Sequence, residues 1–432
     1  MKFRCIATLV CKEFYEGEKE DDGPKWNSSV RGADGCIYGI PYCARRVVRF
    51  NPIDNSMTEI GPDLGIGGNK WNGGTLAGNG CIYCTPLWSD HILKIDTING
   101  NVTILEVELP ETGICKWLSG ALAFDQCIYF MPYNARRILR LNPEDDTVAS
   151  VGHDLGWGSK YKGIVVGKDR CLYGIPRLMI FGIVRFNPVD QSVSGFGQEA
   201  GNFGCGDGAL GRDGFIYAAT DDGQVLRIDV VNSLLHFVGI RVMSDHQSVG
   251  WGAAILGNDG CIYWPPYCAN QTLKFDPVTQ IASLVGDYFG DTFSKWSSGA
   301  VAGPDGAIYC IPCNATRVLA IDPFKEFAMK LQAEMEKYPE ELGRLFEKDD
   351  RGITFYECSI TKFGIEKVSK VIQDCIPSSI VCSGSYLQSF VAAAACENSV
   401  VSVIYYLLRR NLDSSSLANY CPMNSLPDDA GE

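Results

Sequence analysis

One phrase recurs seven times along this chain, at intervals of 44 to 46 residues: a turn rich in Gly and Asp, followed by Ile-Tyr or Leu-Tyr. The tyrosines that mark the copies are Tyr38, Tyr83, Tyr129, Tyr173, Tyr217, Tyr263 and Tyr309. Each copy contains short apolar runs separated by turn residues. A period of about 40 to 50 residues built in this way is typical of a β-propeller with one four-stranded blade per copy. The sequence therefore predicts an all-β fold, a seven-bladed β-propeller.

The seventh copy has no fourth strand of its own, because the chain changes character after "AIDP". The N-terminus supplies a replacement: residues 6–26 read like residues 281–296, which form a fourth strand and a linker. We expect the strand near Phe3–Val10 to pair beside Arg317–Ile321. This pairing would close the ring and leave no unpaired blade edge.

The apolar period changes from two to about 3.6 after Pro323, which indicates helices. Two stretches that begin near Phe355 and Phe390 resemble each other and look like degenerate ankyrin repeats. The predicted organisation is a propeller over residues 1–323, an α-helical, ankyrin-like segment over 324–412 and a disordered tail over 413–432.

Composition narrows the classes of partner and the compartment. The formal net charge is -13, which argues against nucleic acid or an anionic membrane as the main partner. There is no apolar run of about 18 residues that could span a membrane. Five of the nineteen cysteines occupy one repeated position, directly before the aromatic pair: Cys36, Cys81, Cys127, Cys171 and Cys261. Such a position indicates buried free thiols and a cytoplasmic protein.

The loops between the second and third strands carry the candidate ligand-binding residues. They combine planar donors with aromatic side chains, which suit a carboxylate, a phosphate, a sugar or an acidic peptide. The candidates are Tyr42, Arg45, Arg46, Trp88, His91, Tyr133, Asn134, Arg136, Arg137, Tyr267, Asn270, Asn314 and Arg317. We expect them to ring one face of the propeller around the channel mouth. The alternative is that they are solvated loop positions that set the spacing of the blades.

A second repeated element, Lys followed by Trp or Tyr, lies in the linkers between blades, as at Lys70–Trp71 and Lys116–Trp117. Aromatic residues that recur once per blade favour a role as wedges between blades over a role as ligand platforms. The adjacent lysines could line the mouth of the channel.

The sequence offers no catalytic constellation. Ser-Asp-His occurs at Ser89–His91 and Ser244–His246, but the members of a triad converge from separate segments. No metalloprotease, phosphate-loop or dinucleotide motif occurs. The pairs Cys81/Cys84 and Cys310/Cys313 lie in predicted strands, where residues three apart face opposite sides. We therefore predict no catalytic residue, metal or cofactor.

The phrases "DGCIYGIPYCARRVVRFNPIDNSMTEIG" and "DGAIYCIPCNATRVLAIDP" resemble uncharacterised propeller repeats of algal type, often joined to helical or ankyrin-like tails. More distantly they resemble the streptogramin (virginiamycin B) lyases, which are seven-bladed propellers. That resemblance implies a site with a histidine, acidic groups and magnesium on the loop face. The chain has no corresponding His and Glu pair, so the resemblance supports the number of blades and gives no support to the reaction.

Two functions remain open at this point. The first is a non-catalytic scaffold that binds protein through the propeller loop face and the helical tail, and the absence of a catalytic group favours it. The second is a lyase, a hydrolase or a carbohydrate-binding propeller that takes a small anionic or sugar ligand at the channel mouth. A bound anion, sugar or metal there would favour the second.

Overall fold

The computed structural model describes residues 4–5, 24–242, 250–297, 301–302, 306–323, 348–349 and 352–353. The chain divides into two units, Met1–Pro323 and Phe324–Glu432. The first unit is a β-propeller of antiparallel four-stranded sheets, so the predicted all-β class is confirmed.

The repeated phrase builds the first hairpin of each blade. In the fourth copy, Asp169 accepts a hydrogen bond from the backbone N–H of Cys171 at 3.2 Å, and the hydroxyl of Tyr173 donates to the same carboxylate at 2.8 Å. Arg185, on the third strand, also donates to Asp169, at 3.1 Å. Burial alone would raise the pKa of this carboxyl, but these donors hold it below the ordinary value. The Asp of the turn therefore connects the first three strands of its blade.

Six blades consist of four consecutive strands each. Blade one contains β2 (Trp26–Arg31), β3 (Ile37–Pro41), β4 (Val47–Asn51) and β5 (Ser56–Ile60). Blade two contains β6 (Trp71–Leu76), β7 (Cys81–Pro86), β8 (Ile92–Asp96) and β9 (Val102–Leu105). Blade three contains β10 (Trp117–Leu122), β11 (Ile128–Pro132), β12 (Ile138–Asn142) and β13 (Thr147–Val151).

Blade four contains β14 (Tyr161–Val166), β15 (Leu172–Pro176), β16 (Ile183–Phe186) and β17 (Val193–Phe196). Blade five contains β18 (Cys205–Leu210), β19 (Ile216–Thr220), β20 (Val225–Asp229) and β21 (Leu234–Val238). Blade six contains β22 (Ile255–Leu256), β23 (Ile262–Trp264), β24 (Thr272–Asp276) and β25 (Ile281–Val285). Two short 3-10 turns, Met179–Phe181 and Gln198–Ala200, interrupt the loops of blade four.

The last repeat does not complete a blade by itself, so six blades rather than seven are built from consecutive strands. Its strands β26 (Val301–Ala302), β27 (Ile308–Cys310) and β28 (Leu319–Ile321) form a sheet whose fourth member is β1 (Arg4–Cys5). Arg4 pairs with Ala320 and Cys5 with Leu319, in antiparallel register. The predicted pairing partner of the N-terminus is confirmed at these two residues, while residues 6–10 lie outside the described part of the chain.

The core lies between neighbouring blades and contains the repeated cysteines. All five are buried and free, so this prediction is confirmed. The four cysteines of the two CxxC pairs are likewise buried and free. Cys84 lies in β7, and burial raises the pKa of its thiol. Cys313 follows β27 instead of lying in it, which corrects the predicted strand.

In the second unit, the described residues are two short strands, β29 (Lys348–Asp349) and β30 (Gly352–Ile353), paired antiparallel. These four residues fall within the predicted helical segment 324–412 but form strands instead. The sequence "KDDRGI" explains the difference, because Asp and Gly favour a tight turn over a continuing helix. The other predictions for the ankyrin-like segment and for the tail 413–432 concern residues outside the described part of the chain. Among the helices that the structure describes, none has the length and apolar character to cross a membrane.

Candidate functional site

The linkers and the loops between the second and third strands lie together at one end of the blades. The backbone N–H of Tyr133 donates to the carbonyl of Lys116 at 2.9 Å, and that of Tyr42 donates to Lys25 at 2.9 Å. Arg177 and Cys313 make the same bond to the linker lysines of their own blades. The two kinds of segment therefore form one surface, called the loop face below.

The three buried linker lysines, Lys116, Lys160 and Lys295, are structural and do not line the channel mouth. Lys160 is 1% exposed, and its Nζ donates to the carbonyls of Ala135 and Gly156, each at 2.8 Å. Burial lowers the pKa of this lysine to about 8. Lys295 makes equivalent bonds to Cys268 and Thr292. Each ammonium thus ties its linker to the loop of the preceding blade.

The linker tryptophans are wedges, as predicted. Trp117 is fully buried, and its indole N–H donates to the carbonyl of Arg137 at 3.1 Å. The same bond joins Trp26 to Arg46 at 3.0 Å. The other examples are Trp71 to His91, Trp251 to Gln271 and Trp296 to Arg317. Each of these tryptophans therefore fixes the backbone of the loop in its own blade.

Blades one and three carry the same arginine arrangement. In blade three, Arg136 pairs with Asp154 and Arg137 donates to the carbonyl of Gly152 at 3.2 Å. In blade one, the matching pairs are Arg45 with Asp63 and Arg46 with the carbonyl of Gly61. The bond from Arg45 lowers the pKa of Asp63 to about 2. We call these two groups the arginine sites.

The arginine sites do not surround the channel mouth. Gly61 and Asp63 directly follow the outermost strand of blade one, and Gly152 and Asp154 directly follow that of blade three. The arginines therefore lie over the outer half of their blades. This differs from the expected ring, and the reason is that each guanidinium finds its acceptor in the linker that leaves its own blade.

A cavity of about 890 Å³ opens beside the arginine site of blade three. Its polar lining includes Glu111, whose carboxylate accepts hydrogen bonds from the backbone N–H groups of Arg136 and Arg137 at 2.7 and 2.9 Å. Its apolar lining includes Ile114 and Trp157. The guanidinium of Arg136 lies over the Trp157 ring, 5.3 Å from the centroid. The cavity thus combines planar cations with an exposed aromatic surface.

Large apolar side chains project from four linkers of the loop face. Ile66 is 84% exposed and Trp157 is 76% exposed, and both follow the Asp of an arginine site by three residues. Ile114 and Phe293, each two residues before a linker lysine, are also mostly exposed. Trp157 is contacted by Arg136 of its own blade, and all four side chains present apolar surface that a partner could contact.

The tyrosines of the predicted set lie nearer the channel. Tyr42, Tyr133 and Tyr267 are half-buried. Burial raises the pKa of Tyr42, and the neighbouring Cys43, Tyr267, Cys115 and Cys313 raise it further. These four groups come from different blades and linkers, so Tyr42 lies at the point where those segments meet.

The other predicted residues are spread around the loop face. Trp88 is partly exposed and its indole N–H donates to the sulfur of Cys115 at 3.2 Å, while His91 is exposed. Asn134 donates to the carbonyl of Ile114 at 3.3 Å and lines the blade-three cavity. Asn314 and Arg317 are exposed in the last repeat. Asn270 is instead buried and donates to the hydroxyl of Tyr288 at 3.0 Å, so it is not part of the surface.

A charged group in blades four and five was not predicted. Lys162 and Asp207 lie on the innermost strands of these blades, and Asp221 lies in the loop of blade five. Burial raises the pKa of Asp207 to about 7 and lowers that of Lys162. An alignment of the copies contains the signal: the residue at this linker position is Asn, Leu, Gly or Ser in the other copies, but Lys in the fourth.

Neither the arginine sites nor the charged group forms a nucleophile–base pair of the kind that acyl or phosphoryl transfer requires. His91 contributes its backbone carbonyl to Trp71 and Ser89, and among the described residues its imidazole has no hydrogen bond or ion pair with an acid. Over the described ranges, there is no group of three or more His, Cys, Asp or Glu residues that could hold a metal ion.

The sequence matches no protein-family model and no curated protein. The fold does resemble solved structures. A catalytically inactive variant of virginiamycin B lyase from Staphylococcus aureus, crystallised with quinupristin, aligns with a TM-score of 0.56 and 16% identity, covering 70% of this chain and 96% of that one. A streptogramin B lyase aligns with a TM-score of 0.55 and 17% identity, covering 69% and 93%. Hydrazine synthase of Kuenenia stuttgartiensis aligns with a TM-score of 0.53 and 12% identity, covering 71% and 98%. At these identities the similarity establishes the propeller fold alone.

Proposed function

We propose that this chain is a non-catalytic propeller of seven blades, the last closed by the N-terminal strand, that binds a protein through its loop face. The observation that carries the proposal is the repeated pairing of an arginine site with an exposed apolar side chain in blades one and three. Arginine and large aromatic side chains dominate the energetic centres of protein interfaces. The partner surface that fits this chemistry combines carboxylates with apolar groups.

The charge distribution supports an acidic partner. The chain as a whole has a net charge of -13, so its overall charge would repel an acidic partner. Attraction to such a partner must therefore come from local positive groups. Arg46 and Arg137 are exposed, and their guanidinium groups donate to backbone carbonyls, while Asp63 and Asp154 are the nearby carboxylates that feel their charge. A partner carboxylate can replace the carbonyl and gain a charge-assisted bond.

The duplication of the site supports binding at two points. Blades one and three are separated by one blade, so an extended or two-lobed partner could contact both arginine sites. Two weak contacts within one complex raise the overall affinity above that of either alone. Loss of one site should then weaken binding, and loss of both should abolish it.

The test is affinity capture with the full chain, with Arg45→Ala/Arg46→Ala, with Arg136→Ala/Arg137→Ala and with all four substitutions. The matched control is Arg170→Ala/Arg212→Ala, since Arg170 and Arg212 lie in turns at the opposite end of the blades. We expect a stepwise loss of recovery in the first three variants and none in the control. If the fourfold variant recovers the same partner as the full chain, the arginine sites are not the binding surface.

The blade-three cavity favours a second candidate, a small anionic or sugar ligand. Its volume of about 890 Å³ lies within the range of small-molecule sites, and Arg136 and Trp157 supply a planar cation and an aromatic platform. Thermal unfolding with phosphate, citrate and neutral sugars tests this candidate. A rise in the midpoint that Arg137→Ala removes would support it.

A further inference from the structure

The residue that follows the linker aromatic faces the central channel. Asn27 and Asn72 hold this position in blades one and two, and their side chains hydrogen-bond to each other. The hydroxyl of Ser297, from the last repeat, donates to the carbonyl of Asn27 at 2.7 Å, and Asn72 donates to the carbonyl of Leu118 at 2.8 Å. Bonds that cross three blade boundaries in succession show that this position lines a ring.

A β-bulge directs these side chains inward. The register of the innermost strand shifts by one residue after the aromatic, between Trp26 and Ser28 in blade one and between Tyr161 and Gly163 in blade four. A bulge leaves one residue unpaired and turns it away from the sheet. In blade four the residue in the bulge is Lys162, so its ammonium enters the channel beside the polar ring.

Blade five brings carboxylates to the same place. Asp207 lies against Gly163, where any Cβ would overlap its carboxylate. Asp221 lies equally close to Gly204, and its backbone N–H donates to the carbonyl of that glycine at 3.0 Å. The two glycines thus leave space that the carboxylates occupy.

The charges are separated by blade. Lys162 and Arg177 belong to blade four, and Asp207 and Asp221 belong to blade five. The two blades meet closely here, because the backbone N–H of Cys205 donates to the carbonyl of Arg177 at 3.1 Å. One side of the channel is therefore cationic and the adjacent side is anionic.

The charged groups do not satisfy one another. Within the described residues, the Lys162 ammonium makes no hydrogen bond or ion pair, although Asp221 and Asp207 are the nearest charges that favour it. Over the same part of the chain, Asp207 accepts a bond from the backbone N–H of Gly208 at 2.8 Å and none from a cation. Removing a lysine ammonium from water without a hydrogen-bond acceptor costs free energy. A ligand carboxylate would supply the missing acceptor.

We propose that this group binds a small zwitterion, a molecule with an ammonium and a carboxylate, as in an amino acid. The carboxylate would face Lys162 and Arg177, and the ammonium would face Asp207 and Asp221. Each end then forms charge-assisted hydrogen bonds with the blade of opposite charge. This site is separate from the arginine sites, which lie over the outer half of blades one and three.

The test is titration calorimetry of the full chain with ω-amino acids of increasing length, from glycine to 6-aminohexanoate. This series keeps both charges and varies only their separation. We expect one length to bind at least about tenfold tighter than its neighbours and than butyrate or butylamine, each of which has one charge. Lys162→Met and Asp207→Asn should each weaken binding by about tenfold or more.

Lys168→Met is the matched control, because Lys168 lies in the same blade at the opposite end of β14. The circular dichroism spectrum and melting temperature of each variant establish that it is folded. Binding of butyrate or butylamine as tight as the best zwitterion overturns the proposal, as does the absence of any millimolar binding. Arg136→Ala/Arg137→Ala should leave zwitterion binding unchanged, so failure at the arginine sites can be told apart from failure here.

Discussion

The replacement Asp207→Asn should remove a pH dependence from the stability of the propeller. Burial raises the pKa of Asp207 from the ordinary 3.8 to about 7, although the Gly208 N–H and the charge of Lys162 act in the opposite direction. As the pH rises, Asp207 therefore loses its proton about three pH units earlier in the unfolded chain than in the folded chain. The stability contributed by the protonated carboxyl is complete below pH 3.8 and is lost as the pH rises to about 7.

The size of the effect follows from the pKa shift. One pKa unit corresponds to about 1.4 kcal/mol, and about two units of the shift fall between pH 5 and pH 7. The upper limit for this interval is thus about 3 kcal/mol. Solvent in the channel reaches part of the side chain, which reduces the expected loss to about 1 to 3 kcal/mol.

The assay is urea denaturation of the full chain, Asp207→Asn and the control Asp54→Asn at pH 5 and pH 8. Asp54 is an exposed turn residue whose pKa is lowered by the side chain and backbone of Ser56, so it affects stability only below pH 4. We expect the full chain and the control to lose more stability than Asp207→Asn between the two pH values. Equal losses in all three would refute the assignment of a buried, late-ionising carboxyl in the channel.

Two further substitutions test the packing. Trp117→Phe removes a buried indole hydrogen bond and leaves unfilled volume, so it should lower the free energy of unfolding by about 2 to 4 kcal/mol. Its control is Trp88→Phe in a partly exposed loop, which should lower the free energy of unfolding by about 1 kcal/mol or less. Gly163→Ala should destabilise the chain by about 1 to 3 kcal/mol, because its Cβ would overlap Asp207, while Gly68→Ala should change it little because its Cβ meets only one atom, at 3.4 Å. Thermal and urea unfolding check both pairs, and equal effects within either pair would contradict the described contacts.

The repeat made most of the fold predictable, because the same turn and strand chemistry recurs in every copy. Asp169 and Tyr173 show why: a carboxylate four residues before a buried hydroxyl can satisfy it within one hairpin. The second copy has Asn79 at this place, and its Tyr83 donates to Asp146 in the next blade instead, at 2.7 Å. The hydrogen bond between Tyr83 and Asp146 could not be predicted from the sequence, because it depends on how neighbouring blades pack.

The candidate site was less predictable, because loop sequence does not give loop direction. Arg136 and Arg137 were expected beside the channel, but their acceptors follow the outermost strand of the same blade. Lys162 and Asp207 are 45 residues apart and become neighbours only when adjacent blades pack. Asn270 shares its loop with exposed residues, yet packing against the next linker buries it.

Site-specific photo-crosslinking tests the central claim most directly. A photoreactive phenylalanine analogue at Trp157 would report contacts beside the arginine site of blade three, and the same analogue at Ile98 would report contacts at the opposite end of the blades. Both side chains are well exposed, at 76% and 68%, so their reactivity toward solvent is matched. We expect a discrete crosslinked protein from position 157 that Arg136→Ala/Arg137→Ala suppresses, and none from position 98. Equal crosslinking from both positions, or a product that persists without the arginines, would contradict binding through the loop face.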